Sequence, residues 1–449
     1  MSDGGFQGVR RRVSKKPSPL GGFMLRRRHI GLIFIIALLS SACGGKSSTE
    51  ADSVESPDGG GPDSGEPASV TYYADVQPVL QQNCVRCHQP GGLGAGDFTD
   101  PSVVSALAPA ILGAIDSGRM PPPVSDPDCQ DYVGSEHLRL PAASRDIIAD
   151  WIDEGQALGD PSDAAPPVVV ETELSDPDLV LTMPEPYAPT FADPANPGNE
   201  YRCFALDPGA ASGRSITALA PIVDAASLVH HIVLFSVPTA ELTAEERDPQ
   251  GFDCIEAMGT FGQDGVIAAW APGMLPLRIP DGMGLKIAAG RSLVMQVHYF
   301  ANGIEGGTVY DQSSYAFELS DDASPAIVTT VGNTSFEIPA GAADHTDGGT
   351  VPNPDQDLRL VSIFPHMHEL GVTYDMRIRH SDGSQTCLVQ GSYDFNNQLT
   401  YQFPSPISFA RGDELSFSCT WDNSGGDTPV RYGERTDEEM CYFFVTVGR

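Results

Sequence analysis

Three sets of residues in this 449-residue chain have the types and spacing for redox or metal chemistry. The first is Cys84-Val85-Arg86-Cys87-His88, inside NCVRCHQP. Two thiols three positions apart, followed at once by an imidazole, form the attachment pattern of a c-type haem. The thiols become thioethers at the porphyrin edge, and the histidine is placed to ligate iron. A structural zinc or a redox dithiol is the competing reading, but zinc needs a second ligand pair and none is evident nearby. GRMPPP (118–123) offers Met120 beside prolines that stiffen it, and a thioether there would raise the iron potential for electron transfer. The alternatives are that Met120 only packs, or that His137 is the ligand.

The second set is His366-Met367-His368 in SIFPHMHELG. Residues i and i+2 of a strand point to one face, so two imidazoles would stand side by side as half of a metal site. Alone that spacing is weak evidence. The third set strengthens it: His230 and His231 open the apolar run VHHIVLF, and His298 lies in MQVHYF. Adjacent strand residues face opposite ways, so His230 and His231 can share one ion only where the backbone bends or at a strand end. Met440, in DEEMCYFF, adds a thioether. Imidazole with thioether favours copper over hard cations.

The elements that must position these groups differ along the chain. Residues 71–158 are the most helical part. Asp75 is expected to cap a helix bearing Val76, Val79 and Leu80. SRDIIADWIDEG places Ile147, Ile148, Trp151 and Ile152 at helical spacing, with Ser144 as N-cap and Gly155 as stop. Residues 44–70 and 159–176 are Gly-, Pro-, Ser- and Asp-rich linkers. Beyond them come short β-type runs: HHIVLFSV, SLVMQVHYF, LRLVSIFPHMH, TYDMRIRH, LTYQFP, ELSFSCTW and CYFFVTV. Turn residues separate them, as in antiparallel sandwiches. The stretch is long for one sandwich and comfortable for two, divided at 177–320 and 321–449. Trp270 and Trp421 read as core residues.

Net charge is −34. Residues 1–43 carry eight basic residues and one acid, which leaves 18 basic against 59 acidic residues in the remainder. Such a surface repels phosphate backbones, and nucleic acid is not an expected partner. Arg26-Arg27-Arg28, the apolar run LIFIIALL and then SSACGG form an export signal too short to span a bilayer. Met24 would begin such a signal by itself. LSSAC resembles a bacterial lipobox with Leu39 one place further from the cysteine than usual. It implies lipidation of Cys43, contact with a membrane only through that anchor, and a periplasmic or cell-surface location.

HHIVLF, WAPGMLPLRIPDGMG, MQVHYF, HMHELG, YDFNNQ and EEMC occur in the order found in the type II copper, ascorbate-dependent monooxygenases. Residues 177–449 resemble that family, which includes the peptidylglycine α-hydroxylating and dopamine β-hydroxylating enzymes. The resemblance implies two β jelly-roll sandwich domains, each with one copper, facing across an open cleft. By that likeness His230, His231 and His298 hold an electron-transfer copper. His366, His368 and Met440 hold the copper that binds O2 and hydroxylates a C–H bond. The family also implies disulfides Cys203–Cys254 and Cys419–Cys441. Cys129 and Cys387 remain as free thiols or an interdomain bridge. Residues 71–158 likewise resemble a small class I cytochrome c, a family in which a methionine on a loop supplies the sixth iron ligand, and by that likeness Met120 is that ligand.

Two departures matter. In the amidating enzymes an arginine two residues before the HxH grips the substrate carboxylate, helped by an asparagine and a tyrosine two and four residues after the methionine. Here Phe364, Tyr442 and Phe444 occupy those positions. A buried carboxylate without its ionic partner costs several kcal/mol, so a neutral, apolar or aromatic small molecule is the expected substrate. No stretch resembles the lyase domain that completes amidation. The second departure is the haem segment, which is expected to pass electrons from ascorbate or a redox protein to the three-histidine copper. A non-enzymatic electron carrier or copper-holding lipoprotein is the alternative. Surface adhesion has no use for six copper ligands.

Overall fold

Tyr72 begins the described helical segment with a wide π-type turn, Tyr72–Val76, that runs directly into an α-helix, Gln77–Asn83. The computed structural model describes residues 69–449 apart from 91, 93, 167–169, 195–196, 256, 258–260, 263–264, 281, 302–307 and 354. The export segment, Cys43 and almost all of the first linker lie outside them. Among the described residues no helix is long and apolar enough to cross a membrane.

Two caps differ from expectation. Asp75 is not an N-cap: its carboxylate accepts the Thr71 N–H one turn back, at 2.8 Å. The helical pattern starts earlier because Tyr72 is itself fully buried. Ser144 lies inside its helix, Ala142–Asp153, which follows Pro141. Proline at φ −61° leads into a helix without a side-chain cap. Gly155 ends the segment at φ +94°, a conformation that favours glycine. A third helix, Pro101–Asp116, is capped by Asp100, which accepts from Ser102 N–H at 2.8 Å. Tyr72, Leu80, Val104, Ala108, Ile148 and Trp151 pack between these helices as one small core.

The segment between the last two long helices leaves that core. Ser125 bridges to Gly391, and Tyr132 is buried among the residues of the C-terminal sheets. Cys129 is disulfide-bonded to Cys387, across 258 residues of chain, so the bridge is the outcome for that pair. Replacing both by serine is expected to destabilise the protein by about 2–5 kcal/mol, read as a fall in Tm. Leu174, in the second linker, is buried against Ala218, Ala220 and Ala316.

All seven β-type runs are strands. Asn199–Leu206, Arg291–Phe300, Val229–Pro238 and Val266–Trp270 lie side by side in a five-stranded sheet with a two-residue strand at one edge. His345–Pro352, Glu414–Trp421, Gly371–Arg379 and Gln385–Ser392 form a four-stranded sheet. A nine-stranded sheet shares one hydrophobic core with the four-stranded sheet and another with the five-stranded sheet. It continues from one half of the chain to the other where Met283–Lys286 pairs in parallel with Ser324–Gly332. The two sandwiches are therefore joined through a shared sheet, and not every pair is antiparallel.

Candidate metal centres

The tension over His230 and His231 is resolved by a bulge. Val229 pairs with Tyr299 and His231 with His298, so His230 is the extra residue between them. An extra residue bends a strand and lets neighbouring side chains share a face. The Nδ1 atoms of His230 and His298 lie 3.2 and 3.4 Å from His231 Nδ1. One ligand atom from each of the three histidines falls within 4.8 Å of the others. His298 Nε2 is 2.8 Å from the Asn199 side-chain oxygen, so it donates there and leaves Nδ1 for a metal. Tyr201 stacks on the His298 ring at 4.1 Å.

His366 is the last residue of its strand, opposite Tyr442. Met367 points away into the C-terminal core and is fully buried, which leaves His366 and His368 on the opposite face. Their ring centroids are 5.2 Å apart. His366 Nδ1 donates to Gln398 Oε1 at 2.7 Å and His368 Nδ1 to the Glu438 carbonyl at 3.0 Å. Both Nε2 lone pairs remain available. Met440 lines one pocket with these two histidines. The structure thus brings His230, His231 and His298 together, and His366, His368 and Met440 together.

Two family models match the chain. The N-terminal domain of copper type II ascorbate-dependent monooxygenases covers residues 189–303, and the C-terminal domain covers 329–447. The chain belongs to this family. Each matched stretch contains one of the two ligand sets. Among relatives, DBH-like monooxygenase protein 2 of Mus musculus is 25% identical over 245 residues, 49% of this chain and 38% of that protein. Peptidyl-glycine alpha-amidating monooxygenase A of Xenopus laevis is 23% identical over 223 residues, 48% and 23%. The chain matches less than half the length of these curated relatives. The major capsid protein P2 of bacteriophage PM2 aligns at a TM-score of 0.25 with 9% identity, over 60% of this chain and 96% of that one, which carries no argument.

The copper-monooxygenase family resemblance implied an open cleft; the two ligand sets here are close instead. His231 and His366 have ring centroids 6.3 Å apart. Both line a pocket of only about 40 Å³. An apolar cluster closes the space between the halves: Phe235, Phe252 and Val294 from one, Phe364, Tyr442 and Phe444 from the other. Disulfides Cys203–Cys254 and Cys419–Cys441 are present, with Cys203, Cys254 and Met440 in that same cluster.

The CxxCH residues line a different cavity, of about 510 Å³. Cys84 and Cys87 are unbridged, and burial pushes the Cys84 thiol up to about 12. His88 Nδ1 donates to the Ala95 carbonyl at 2.8 Å, which frees Nε2. Its ring stacks on Phe98 at 4.2 Å, and a Cβ at Gly94 would collide with it. Met120 lines this cavity; His137 does not. Two thiols, a free imidazole nitrogen and a thioether around an apolar space of this size fit a covalent haem.

Several contributors were not singled out in the sequence. Glu439, fully buried, accepts from the backbone N–H groups of His368, Leu370 and Met440 and from the Trp421 indole. Trp421 is thus more than core. Residues 394–398 touch all three candidate sites. Gln398 orients His366, Phe395 stacks on His230 at 5.1 Å, and Asn397 donates to the Pro123 carbonyl beside the methionine loop. The only sequence sign was their place in the quoted motifs.

Burial lowers every imidazole of the two sets: His230 and His366 to about 4, His368 to about 3, and His231 and His298 well below their ordinary value. All five are neutral at pH 7 with lone pairs free. Unfolding exposes them to protonation near 6.5, so between pH 7 and 4 the unfolded chain binds more protons and stability falls. Glu439, raised by burial to about 7, works the other way with a single proton. The metal-free protein is therefore expected to lose Tm as pH drops through 6 towards 4, by thermal melts across that range.

Proposed function

We propose that this protein is an exported copper monooxygenase. It inserts one oxygen atom of O2 into a C–H bond of a neutral, apolar or aromatic small molecule. Electrons come from ascorbate or a redox protein through an attached c-type haem. The observation that carries the reading is the convergence of two complete ligand sets, three Nδ1 atoms in one and two Nε2 atoms with a buried thioether in the other. Copper there would supply one-electron redox chemistry and dioxygen activation, and the haem a supply of electrons.

The residues of the chain bind, orient and exclude water. Asn199, Gln398 and the Glu438 carbonyl accept from His298, His366 and His368 and so turn the lone-pair nitrogen of each of these three imidazoles inward. Phe364 and Phe444 wall the pocket beside His366. With no cation at Phe364, the substrate gains by burying apolar surface, not by pairing a carboxylate. Three disulfides suit an oxidising compartment outside the cytoplasm. A lipid anchor at Cys43 is part of the proposal.

Elemental analysis with a haem assay on the purified exported protein tests it: two coppers and one haem per chain are expected. Hydroxylation of apolar and aromatic compounds should exceed that of an acylglycine. One haem with no copper after copper loading would leave the electron-carrier reading in its place.

A further inference from the structure

The cavity around Cys84, Cys87, His88 and Met120 is not closed by the helical segment alone. Leu228, His230 and Phe300 complete its wall from the three-histidine sandwich, and Asp394, Asn396 and Asn397 from the other. One imidazole therefore belongs to two sites. His230 Nδ1 lies 3.2 Å from His231 Nδ1, on the metal side. Its Nε2 is buried without a hydrogen-bond partner of good geometry, and Asn396 is the polar side chain that acts on the ring. Phe300 and Phe395 flank the ring at 5.7 and 5.1 Å.

The wall is held in place from both sandwiches. Arg86, within the CxxCH, donates to the Gly273 carbonyl at 2.8 Å. Asn397 donates to Pro123 at 3.0 Å, and the Cys129–Cys387 bridge fastens the segment beyond it. The separation of the two sites is thus set within the folded chain and does not wait on a docking encounter.

We propose that His230 carries electrons from the haem bound by Cys84, Cys87 and His88 to the copper bound by His230, His231 and His298. The inference rests on the haem and copper reading above. Each transfer moves one electron: haem iron goes from Fe(II) to Fe(III), copper from Cu(II) to Cu(I). A one-electron donor, ascorbate or a redox protein, restores the haem, and two transfers serve each hydroxylation.

The test uses the full exported chain. A pyridine haemochrome assay comes first; absence of haem would defeat the underlying reading, not the route. Haem is then reduced anaerobically and mixed with Cu(II) while its visible band is followed. In wild type, and in His368→Ala, which keeps the three-histidine set, haem oxidation is expected at a rate independent of protein concentration. In His230→Gly it should be lost, and return when imidazole is added. Haem oxidation at the wild-type rate in His230→Gly, with EPR showing copper bound and no imidazole present, would overturn the route, as would none in wild type. Should His230→Gly fail to fold, EPR of fully oxidised His368→Ala decides. Copper relaxation quickened by the ferric haem supports the route, and relaxation as slow as in a haem-free copper site refutes it.

Discussion

Met440→Ile is expected to reduce hydroxylation to background while the protein stays folded. Met440 is 3% exposed and packs among Phe364, Tyr442 and Phe444, so an apolar side chain of similar volume keeps the cluster filled. Volume-conserving swaps of this kind usually cost less than about 1.5 kcal/mol. The change removes one thing, the thioether beside His366 and His368. The three-histidine set is untouched, so electron transfer from haem should persist and copper content should fall towards one per chain. Product analysis by mass spectrometry, a copper count and a melt are sufficient to check this. A variant that still hydroxylates at the wild-type rate would remove Met440 from the site. A carrier protein would instead show no hydroxylation in either form.

Glu439→Ala is expected to have the largest effect on stability. Four N–H donors converge on this carboxylate: His368 N at 2.9 Å, Leu370 N at 2.7 Å, Met440 N at 3.2 Å and Trp421 Nε1 at 3.0 Å. Truncation would orphan them in a site closed to water. Each buried unsatisfied donor costs about 1–3 kcal/mol, so a loss of about 4 kcal/mol or more is expected. Glu439→Gln keeps one accepting oxygen but turns an amide N–H towards donors, and should fall between. Because the same carboxylate fixes the backbone of both His368 and Met440, copper affinity or activity in the Gln variant should drop about 10–100-fold. Denaturant melts and copper titration read the two effects separately. A Gln variant with wild-type affinity would show that the carboxylate supports the fold only.

Much of the candidate site is legible in the sequence because its residue types are scarce and specific. With ten histidines in the chain, His230, His231, His298, His366 and His368 fall in apolar β-type runs where charge has no ordinary place. What spacing alone misses is backbone irregularity. Strict alternation argues against His230 and His231 sharing an ion, and the bulge that permits it depends on pairing with Tyr299 and His298, far along the chain. Glu439 is hidden for a similar reason. One more acid among Asp437, Glu438 and Glu439 looks like solvated surface until His368, Leu370 and Trp421 bring their N–H donors to it from elsewhere in the chain. The caps at Asp75 and Ser144 were misplaced because Thr71 and Pro141 begin their helices earlier by local geometry. The departure of residues 124–138 from the helical core was also unreadable. Its apolar residues match that core as well as the sheets they join.

The parallel pairing of Ser324, Pro325 and Ala326 with Met283, Gly284 and Leu285 has a mechanical meaning. Two sandwiches linked by a loop alone could swing apart like halves of a hinge. Two that share hydrogen-bonded strands are joined by a torsion spring, whose restoring force is the resistance of a sheet to change in its twist. The space between the ligand sets is far too small for an organic molecule. On the proposed function, a substrate that enters between the ligand sets would do so by elastic distortion of that sheet, which stores work on opening and returns it on closure. Low-frequency twisting of the shared sheet, not free tumbling of one half against the other, would then set the pace at which molecules come and go.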